Sequence, residues 1–600
     1  MRIEMIRRLA ILLWLGGLFL PLATACASAP TPVIETVVVK ETVTVKETVS
    51  VVVTPTPTAL PIKKTGSIVI GTGALTAKHY NPIWLNSPAQ FLTFPLILPA
   101  LTWFDEKAQP ILDLAAKVEA APNATSYTFI LPKNAAWSDG TPLTTKDVAF
   151  TYKLALDPAI NSLLWATNLS SIKGALEYQR GAAKDIEGIK VVDDQTIRFD
   201  LRESNGTFLF NTYLGILPSH ILGKVDPRDV ERQAYIDAPT VTSGPYGFVK
   251  YELGQAIQLK KKSSYWGKTV NIDEIAVKMF DSNAALLASL ESGDVQLAVI
   301  PLEEVARFRK IPYLDVLSAK GTSAYALHLD ARTKDQIAAL NKPKDQGGRG
   351  YNIARAPKPY LADKRFRQAL SYALDRKAII QTVVNGEGVP IYSPMIGPDW
   401  AINPNLNKFD VNVDKARSLM KDAGIAFDAQ GNALSENKPV ALVYLAGTSE
   451  EARKLGEVIQ QQLIKIGIRV DIKLVPNEVF QQAAIDGEGD LIRSAGARFG
   501  VDPGVSALYY TCKAGWAELV MGYCNAKFDD LIVKGNSVSK NEDRQKSYWD
   551  ASAILNDELP SIFLFAPNVF VGVNKGLSGV KPAAEPNYLT WNIQDWTVQK

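Results

Sequence analysis

The 600-residue chain is short of the side chains that build most metal and redox centres. It has three cysteines (Cys26, Cys512, Cys524) and three histidines (His79, His220, His328). That scarcity argues against a zinc module or a His-rich metal centre. It also lacks an excess of either charge: 65 Lys+Arg stand against 62 Asp+Glu, a net of +3, which argues against a nucleic-acid binder. No Gly-x-Ser-x-Gly elbow, phosphate-binding Gly-x-x-x-x-Gly-Lys loop, His-Glu-x-x-His helix or Cys-x-x-Cys pair occurs. Carboxylates are plentiful, but no pair is spaced so as to single out acid–base work. Gly71-Thr72-Gly73 follows the first strand, yet Thr76 stands where a dinucleotide fingerprint needs its third glycine. The segment therefore reads as a flexible loop. These absences lower the odds for an enzyme, although a triad can be assembled in space.

What is present is a soluble globular composition, 47% apolar and 21% charged. The length exceeds one hydrophobic core and implies at least two domains or lobes. The N-terminus reads as an address label. Arg2, Arg7 and Arg8 precede an apolar run of roughly 13 residues, 10–22, short of the about 20 that a spanning helix needs. The run ends in Leu22-Ala23-Thr24-Ala25-Cys26, small residues before a lone cysteine, which resembles a bacterial lipoprotein cleavage site with Ala23 in place of the usual Leu. Lipidation of Cys26 is the expectation; ordinary secretory cleavage near Ala25 is the alternative. A six-residue repeat follows, Glu35-Thr36-Val37-Val38-Val39-Lys40 and its successors, closed by Thr54-Pro55-Thr56-Pro57-Thr58. It reads as a stalk over 26–65.

From Ser67 onward helix and strand signals mix. Ser67-Ile68-Val69-Ile70 opens as a strand, and Trp137-Ser138-Asp139-Gly140-Thr141-Pro142 is a turn. Thr144 with Asp147 has capping-box spacing ahead of a helix through Val148, Tyr152 and Ala155. Asp363 caps a helix with Phe366, Ala369, Leu370 and Ala373 on one face, and 414–423 is a helix stopped by Gly424. Residues 440–475 read as a βαβ unit: strand 440–445, a helix capped by Ser449 and closed by Gly467, then alternating Ile468, Val470, Ile472 and Leu474. Two further strands are expected at 562–565 and 569–573. Lys260-Lys261-Lys262 reads as a solvated strand end and His220 as a local cap. Cys512 and Cys524 lie twelve residues apart; in an exported chain a disulfide is expected, against two buried thiols.

Six blocks resemble the extracellular solute-binding proteins of peptide-type ABC importers, family 5, which include dipeptide, oligopeptide and nickel binders. They are Trp137-Ser138-Asp139-Gly140-Thr141-Pro142-Leu143 with Asp147-Val148; Ser243-Gly244-Pro245-Tyr246; and Tyr265-Trp266 with Ile272-Asp273-Glu274-Ile275 and Ser292-Gly293-Asp294. Then come Arg365-Phe366-Arg367-Gln368-Ala369-Leu370-Ser371-Tyr372-Ala373-Leu374-Asp375-Arg376, Lys415-Ala416 with Asp422-Ala423-Gly424, and Gln462-Leu463 with Ile466-Gly467-Ile468. In this order they span nearly all of 66–600. The resemblance implies an α/β, two-lobed periplasmic-binding-protein fold of class II, the large peptide-binding type, with mixed sheets and a hinge. Lobe I would take 66–325, with a subdomain at about 91–238; lobe II would take 326–559; and 560–600 would return to lobe I. A small solute or peptide would bind between the lobes of a monomer that docks on a membrane permease. No cofactor, catalysis or nucleic acid is implied. The protein would sit outside the cytoplasm on the periplasmic or cell-surface face.

Family position suggests three cleft segments, 81–94, 396–403 and 494–505, with candidate contacts Asn81, Phe91, Trp400, Arg498, Phe499 and Asp502. Trp400 and Phe499 could equally be core residues. Peptide binders of the family carry an Asp that pairs the ligand's α-amino group. Here that position holds Phe499, beside Arg498, within Gly496-Ala497-Arg498-Phe499-Gly500-Val501-Asp502-Pro503. The expected ligand is thus not a simple free-amine dipeptide, and Arg498 either receives an anion or makes an internal ion pair. Residues 331–360 look inserted. With seven Lys/Arg and two Asp they read as a solvated loop, or as a contact for anionic lipid or the permease. A secreted hydrolase, a sensory receptor, and nickel or sugar binding are the competing readings.

Overall fold

The computed structural model describes residues 66–73, 80–160, 162–498 and 501–598, without the side chains of 495–498. The signal, Cys26 and the stalk lie outside the described residues, as do His79 and Phe499.

A mixed sheet of twelve strands runs through the body. In chain order they are β1 (Ser67–Gly73), β2 (Tyr246–Glu252), β3 (Ala256–Lys261), β4 (Glu274–Phe280), β5 (Leu297–Ile300), β6 (Leu314–Lys320), β7 (Ser323–Leu329), β8 (Gly388–Pro390), β9 (Ala441–Gly447), β10 (Arg469–Val475), β11 (Leu491–Arg498) and β12 (Ser561–Asn574). The order across the sheet is β10-β9-β11-β7-β12-β5-β1-β4-β3-β2, with β6 and β8 also paired to β12. β1 runs parallel to β4 and β5, and β9 runs parallel to β10 and β11; the other pairs are antiparallel. A separate four-stranded antiparallel sheet (Lys117–Ala120, Ser126–Ile130, Thr196–Asp200, Ile189–Val191) carries the segment between β1 and β2.

Hydrophobic burial divides the body in two, as expected of a two-lobed fold. One core gathers side chains from Ile68 to Leu297 together with Val571, Val573 and Trp596. The other gathers Tyr325 to Phe565, with a satellite around Tyr510, Phe528 and Phe563. The chain passes between them on adjacent antiparallel strands, at the β6–β7 junction and along β12. The C-terminal strands expected at 562–565 and 569–573 are one 14-residue strand. Ile562 and Leu564 serve the second core, whereas Val571 and Val573 serve the first. Pro567 does not interrupt it, because only its carbonyl is needed at the crossing: it accepts the Gly321 N–H at 3.1 Å. A Cβ on Gly321 would lie 2.6 Å from that oxygen, so glycine is required there.

Local signals are realised closely. Helix α1 spans Pro88–Ile97. Helix α2 (Thr145–Ala155) has both halves of the Thr144/Asp147 capping box. The other Asp147 oxygen accepts from Ser219, N–H at 2.9 Å and hydroxyl at 2.6 Å. The neighbouring His220 Nε2 lies 2.8 Å from Asp139 in the Trp137–Pro142 turn. Helix α3 (Lys364–Ala373) starts at Asp363, and α4 (Val413–Asp422) is capped by Asn412. The βαβ unit is β9, α5 (Glu450–Leu463) and β10, with Ser449 as cap and Gly467 at φ 80°. Helix α6 spans Asn541–Glu558.

Three readings need correction. Gly71, Thr72 and Gly73 are the end of β1 and not a loop; a Cβ on Gly71 would lie 2.3 Å from Leu286 Cδ1, so the glycine admits a packed helix. Lys262 is not solvated: its Nζ donates to Thr242 O at 3.2 Å, and burial pulls its pKa down to about 8. Residues 331–360 are only partly a solvated loop. They include a capped helix, Lys334–Asn341, and an exposed stretch at 342–347, but three of the seven cations turn inward. Arg332 (2% exposed) donates to Asp330 at 2.6 and 2.8 Å. Arg355 joins Asp330 at 2.9 Å and also Asp490, while Lys358 meets Asp490 at 2.6 Å. Asp490 also accepts the Val443 N–H of β9 at 2.7 Å. Two buried carboxylates thus bind three cations and fix the insertion to the sheet.

Breaking such a cluster from one side strands buried charge. Asp490→Ala is expected to lose about 3–5 kcal/mol of stability, read as a lower denaturation midpoint. An unchanged midpoint would show that the insertion is only loosely attached.

Candidate functional site

Two cavities are walled from both cores. The first, about 420 Å³, lies at the strand crossing. Ser318 to Thr322 form its floor, Glu106, Lys107 and Lys581 approach from the first core, and Ile396, Gly397, Pro398 and Asp399 from the second. Lys107 Nζ pairs with Asp399 across it at 3.0 Å, with both groups largely solvated. Lys320 Nζ donates to Ile396 O at 2.6 Å. Desolvation holds the Lys320 pKa below its ordinary value, partly opposed by Asp399. The bond between Gly397 and Pro398 is cis. The second cavity, about 640 Å³, has contrasting walls. The first core offers hydroxyls and amides, among them Thr167, Asn168, Ser171 and Asn205; the second offers Val505, Leu508, Ile532 and Val533, with Lys513 and Asp529. Around it the two sides join directly: Gly206 N donates to Asn536 O at 2.8 Å, and Gln109 Nε2 to Val501 O at 2.7 Å.

Cys512 and Cys524 are disulfide-bonded. The bridge closes a loop beside the second cavity, and Cys512 N–H donates to the Asp529 carboxylate at 3.2 Å. In the chain-entropy account such a short loop contributes about 3 kcal/mol.

The sequence-predicted contacts fall as follows. Asn81 is buried, and its Oδ1 accepts from Ile83 N at 2.9 Å, capping the turn Pro82–Trp84. Phe91, on α1, is half-buried, with ring centroids 6.5 and 6.4 Å from Trp103 and Tyr588. Trp400 and Asp502 are brought together by a residue that sequence reasoning missed, Arg544 of α6. Arg544 donates to Asp502 at 2.8 and 3.0 Å, and its guanidinium lies 5.3 Å from the Trp400 ring centroid. Asp502 is 1% exposed and also accepts Gly504 N–H at 2.7 Å. Arg498 ends β11 opposite Ser323, beside the crossing.

A second missed group lies on the strands entering the crossing. Tyr325 stacks on Phe565 with centroids 4.6 Å apart, and Arg493 lies 5.0 Å over the Tyr325 ring. Tyr325 Oη donates to Glu451 at 2.9 Å. Burial, then the Glu451 charge, pushes the phenol pKa up to about 12. Arg493 reaches Glu451 at 3.5 Å, and its Nε is buried with no hydrogen-bond partner. A guanidinium with an unused donor and one loose carboxylate contact is suited to receiving an anionic oxygen. No motif marked it; an arginine directly after the apolar pair Leu491-Ile492 was the one available signal.

Among the described residues no group of three or more His, Cys, Asp or Glu is placed to hold a metal ion, and no helix is long and apolar enough to cross a membrane.

Comparison with known proteins agrees with this architecture. The chain is 24% identical over 545 residues to the oligopeptide-binding protein AppA of Bacillus subtilis, covering 89% of this chain and 92% of that one. It is 24% identical over 501 residues to the dipeptide-binding protein of Escherichia coli, covering 80% and 86%. The crystal structure of the ABC transporter substrate-binding protein CtaP from Listeria monocytogenes superposes with a TM-score of 0.71 at 20% identity, over 90% of this chain and all of that one. The model of the bacterial extracellular solute-binding proteins, family 5 Middle, matches residues 109–517, and the chain belongs to that family.

Proposed function

We propose that this protein is the extracytoplasmic solute receptor of an ABC importer, anchored as a monomer through lipid on Cys26, and that it captures a peptide or similar small organic solute between its lobes. The observation that carries the reading is the pair of cavities walled from both cores at and beside the strand crossing. A solute touching both walls binds the closed arrangement better than the open one and so shifts the population toward closure. The lobes are about 66–325 and 326–559, but the return to the first lobe begins near Pro567 and not at 560, because Ile562 and Leu564 pack in the second core. The closed form then docks on the permease, and no bond of the solute is changed. Relatives named for oligopeptides and dipeptides support the ligand class.

In this reading the ligand carries an anionic group. Arg493, on a strand that enters the crossing and not in the lining of either cavity, is the proposed receiver of that group, and Arg498 is a second cation on the same strand. Phe499 replaces the carboxylate that would hold an α-amino group. Phe91 and Trp400 line neither cavity and pack on aromatic neighbours instead, while Asn81 and Asp502 shape backbone.

Mass spectrometry of solute released by denaturing the purified protein should find an organic anion or acidic peptide at near-stoichiometric amount. A bound neutral sugar or nickel complex would displace this ligand class. Arg493→Gln should weaken rebinding of that solute at least tenfold, since a hydrogen bond to a charged group contributes about 1.5–3 kcal/mol, with little change in melting. Asp502→Ala should do the reverse. It strands Arg544 and lowers stability by about 3–5 kcal/mol, which a denaturant melt reads. Cys26→Ala should move the protein from the membrane fraction to the soluble one; retention would remove the lipid anchor from the proposal.

A further inference from the structure

A third cavity, about 360 Å³, is lined only by residues 95–132, 245–270 and 590–594, so it is separate from the two cavities between the cores. Asp113 lines it. The Asp113 carboxylate accepts one hydrogen bond, from Ala100 N–H at 2.9 Å, and no cation of the described residues is paired with it. The nearby cation in the lining, Lys268, is turned to Asp595 at 3.2 Å. Burial, weakly offset by that single N–H, raises the Asp113 pKa to about 7. A carboxylate without a partner in a desolvated position is costly; the buried Asp330, Asp490 and Asp502 are paired with Arg or Lys, and the buried Asp147 accepts from Ser219 and the Thr144 N–H. Among aliphatic and polar residues the lining carries four aromatic side chains, Trp103, Tyr265, Trp266 and Trp591. The Trp103 indole N–H is itself buried with no acceptor.

We infer that this first-lobe cavity binds a small organic ammonium ion, with Asp113 as its counter-charge and the aromatic rings in its lining. The ligand class follows from the chemistry of the lining. A cation restores the missing partner of Asp113, and aromatic rings stabilise an alkylated ammonium through their π-systems while tolerating its apolar substituents. An anion is excluded by Asp113, and a neutral apolar guest would leave the carboxylate unpaired. A volume near 360 Å³ suits a compact ligand. The site needs neither the interlobe cavities nor Arg493, so it stands independently of the proposed transport function.

The test uses the full-length protein at about pH 8, where Asp113 is ionised. Choline is titrated by calorimetry alongside its neutral isostere, in which carbon replaces the nitrogen. Saturable binding of choline, at least tenfold tighter than that of the isostere, is expected. Asp113→Asn keeps an acceptor for Ala100 N–H and removes the charge. It should weaken choline at least tenfold while leaving the melting temperature equal or higher and the solute released from the interlobe cavities unchanged. Absence of choline binding to the unmodified protein overturns the inference, as does equal binding of choline and the isostere. Undiminished binding to a folded Asp113→Asn protein also overturns it. If that variant fails to fold, the comparison of choline with its isostere on the unmodified protein decides alone.

Discussion

The backbone ladder between β6–β7 and β12 is the element on which both cores depend. β12 donates side chains to each of them, and β6 and β7 flank it on the two sides of Gly321. Strand pairing on either side of Gly321 ties the two cores together. The interlobe cavities exist because two cores are joined by strands and not by one shared interior. The narrowest requirement is at the contact between Gly321 and Pro567, where no side chain fits on the glycine and no donor is needed from the proline.

Around that ladder, several buried charges are matched as ion pairs. Arg332, Arg355 and Lys358 are matched to Asp330 and Asp490, and Arg544 to Asp502. Such pairs contribute little net stability against apolar packing, but each is costly to leave half-made. They therefore pin segments, here the 331–360 insertion and the start of the turn at Pro503, to one position. Arg493 is only loosely paired, and Asp113, in the lining of the third cavity, has no cation partner among the described residues.

Much of the local structure was legible in the sequence because it is decided within a few residues. The capping box of Thr144 and Asp147, the caps Asp363 and Ser449, the stop at Gly467 and the alternation of β10 are short-range patterns of side chain and backbone. Family position likewise put Trp400 and Asp502 in adjoining segments. Their partner was invisible because Arg544 lies on a distant helix, and its charge alone gave no sign of pointing inward. The charge-rich insertion misled in part for the same reason: seven cations in thirty residues read as solvated surface, and three of them, Arg332, Arg355 and Lys358, turn inward to Asp330 and Asp490.

The sequence by itself determined the family, the α/β class, the helix limits and the βαβ unit, since these rest on spacing and on residues near each other in the chain. Only the tertiary structure decided which charges are paired, that the two C-terminal strands are one, and which segments face each other across the cavities. Most of those outcomes depend on groups well separated in the chain, 42 residues for Asp502 and Arg544 and 135 for Arg355 and Asp490, whose meeting is set by packing and leaves no periodic trace.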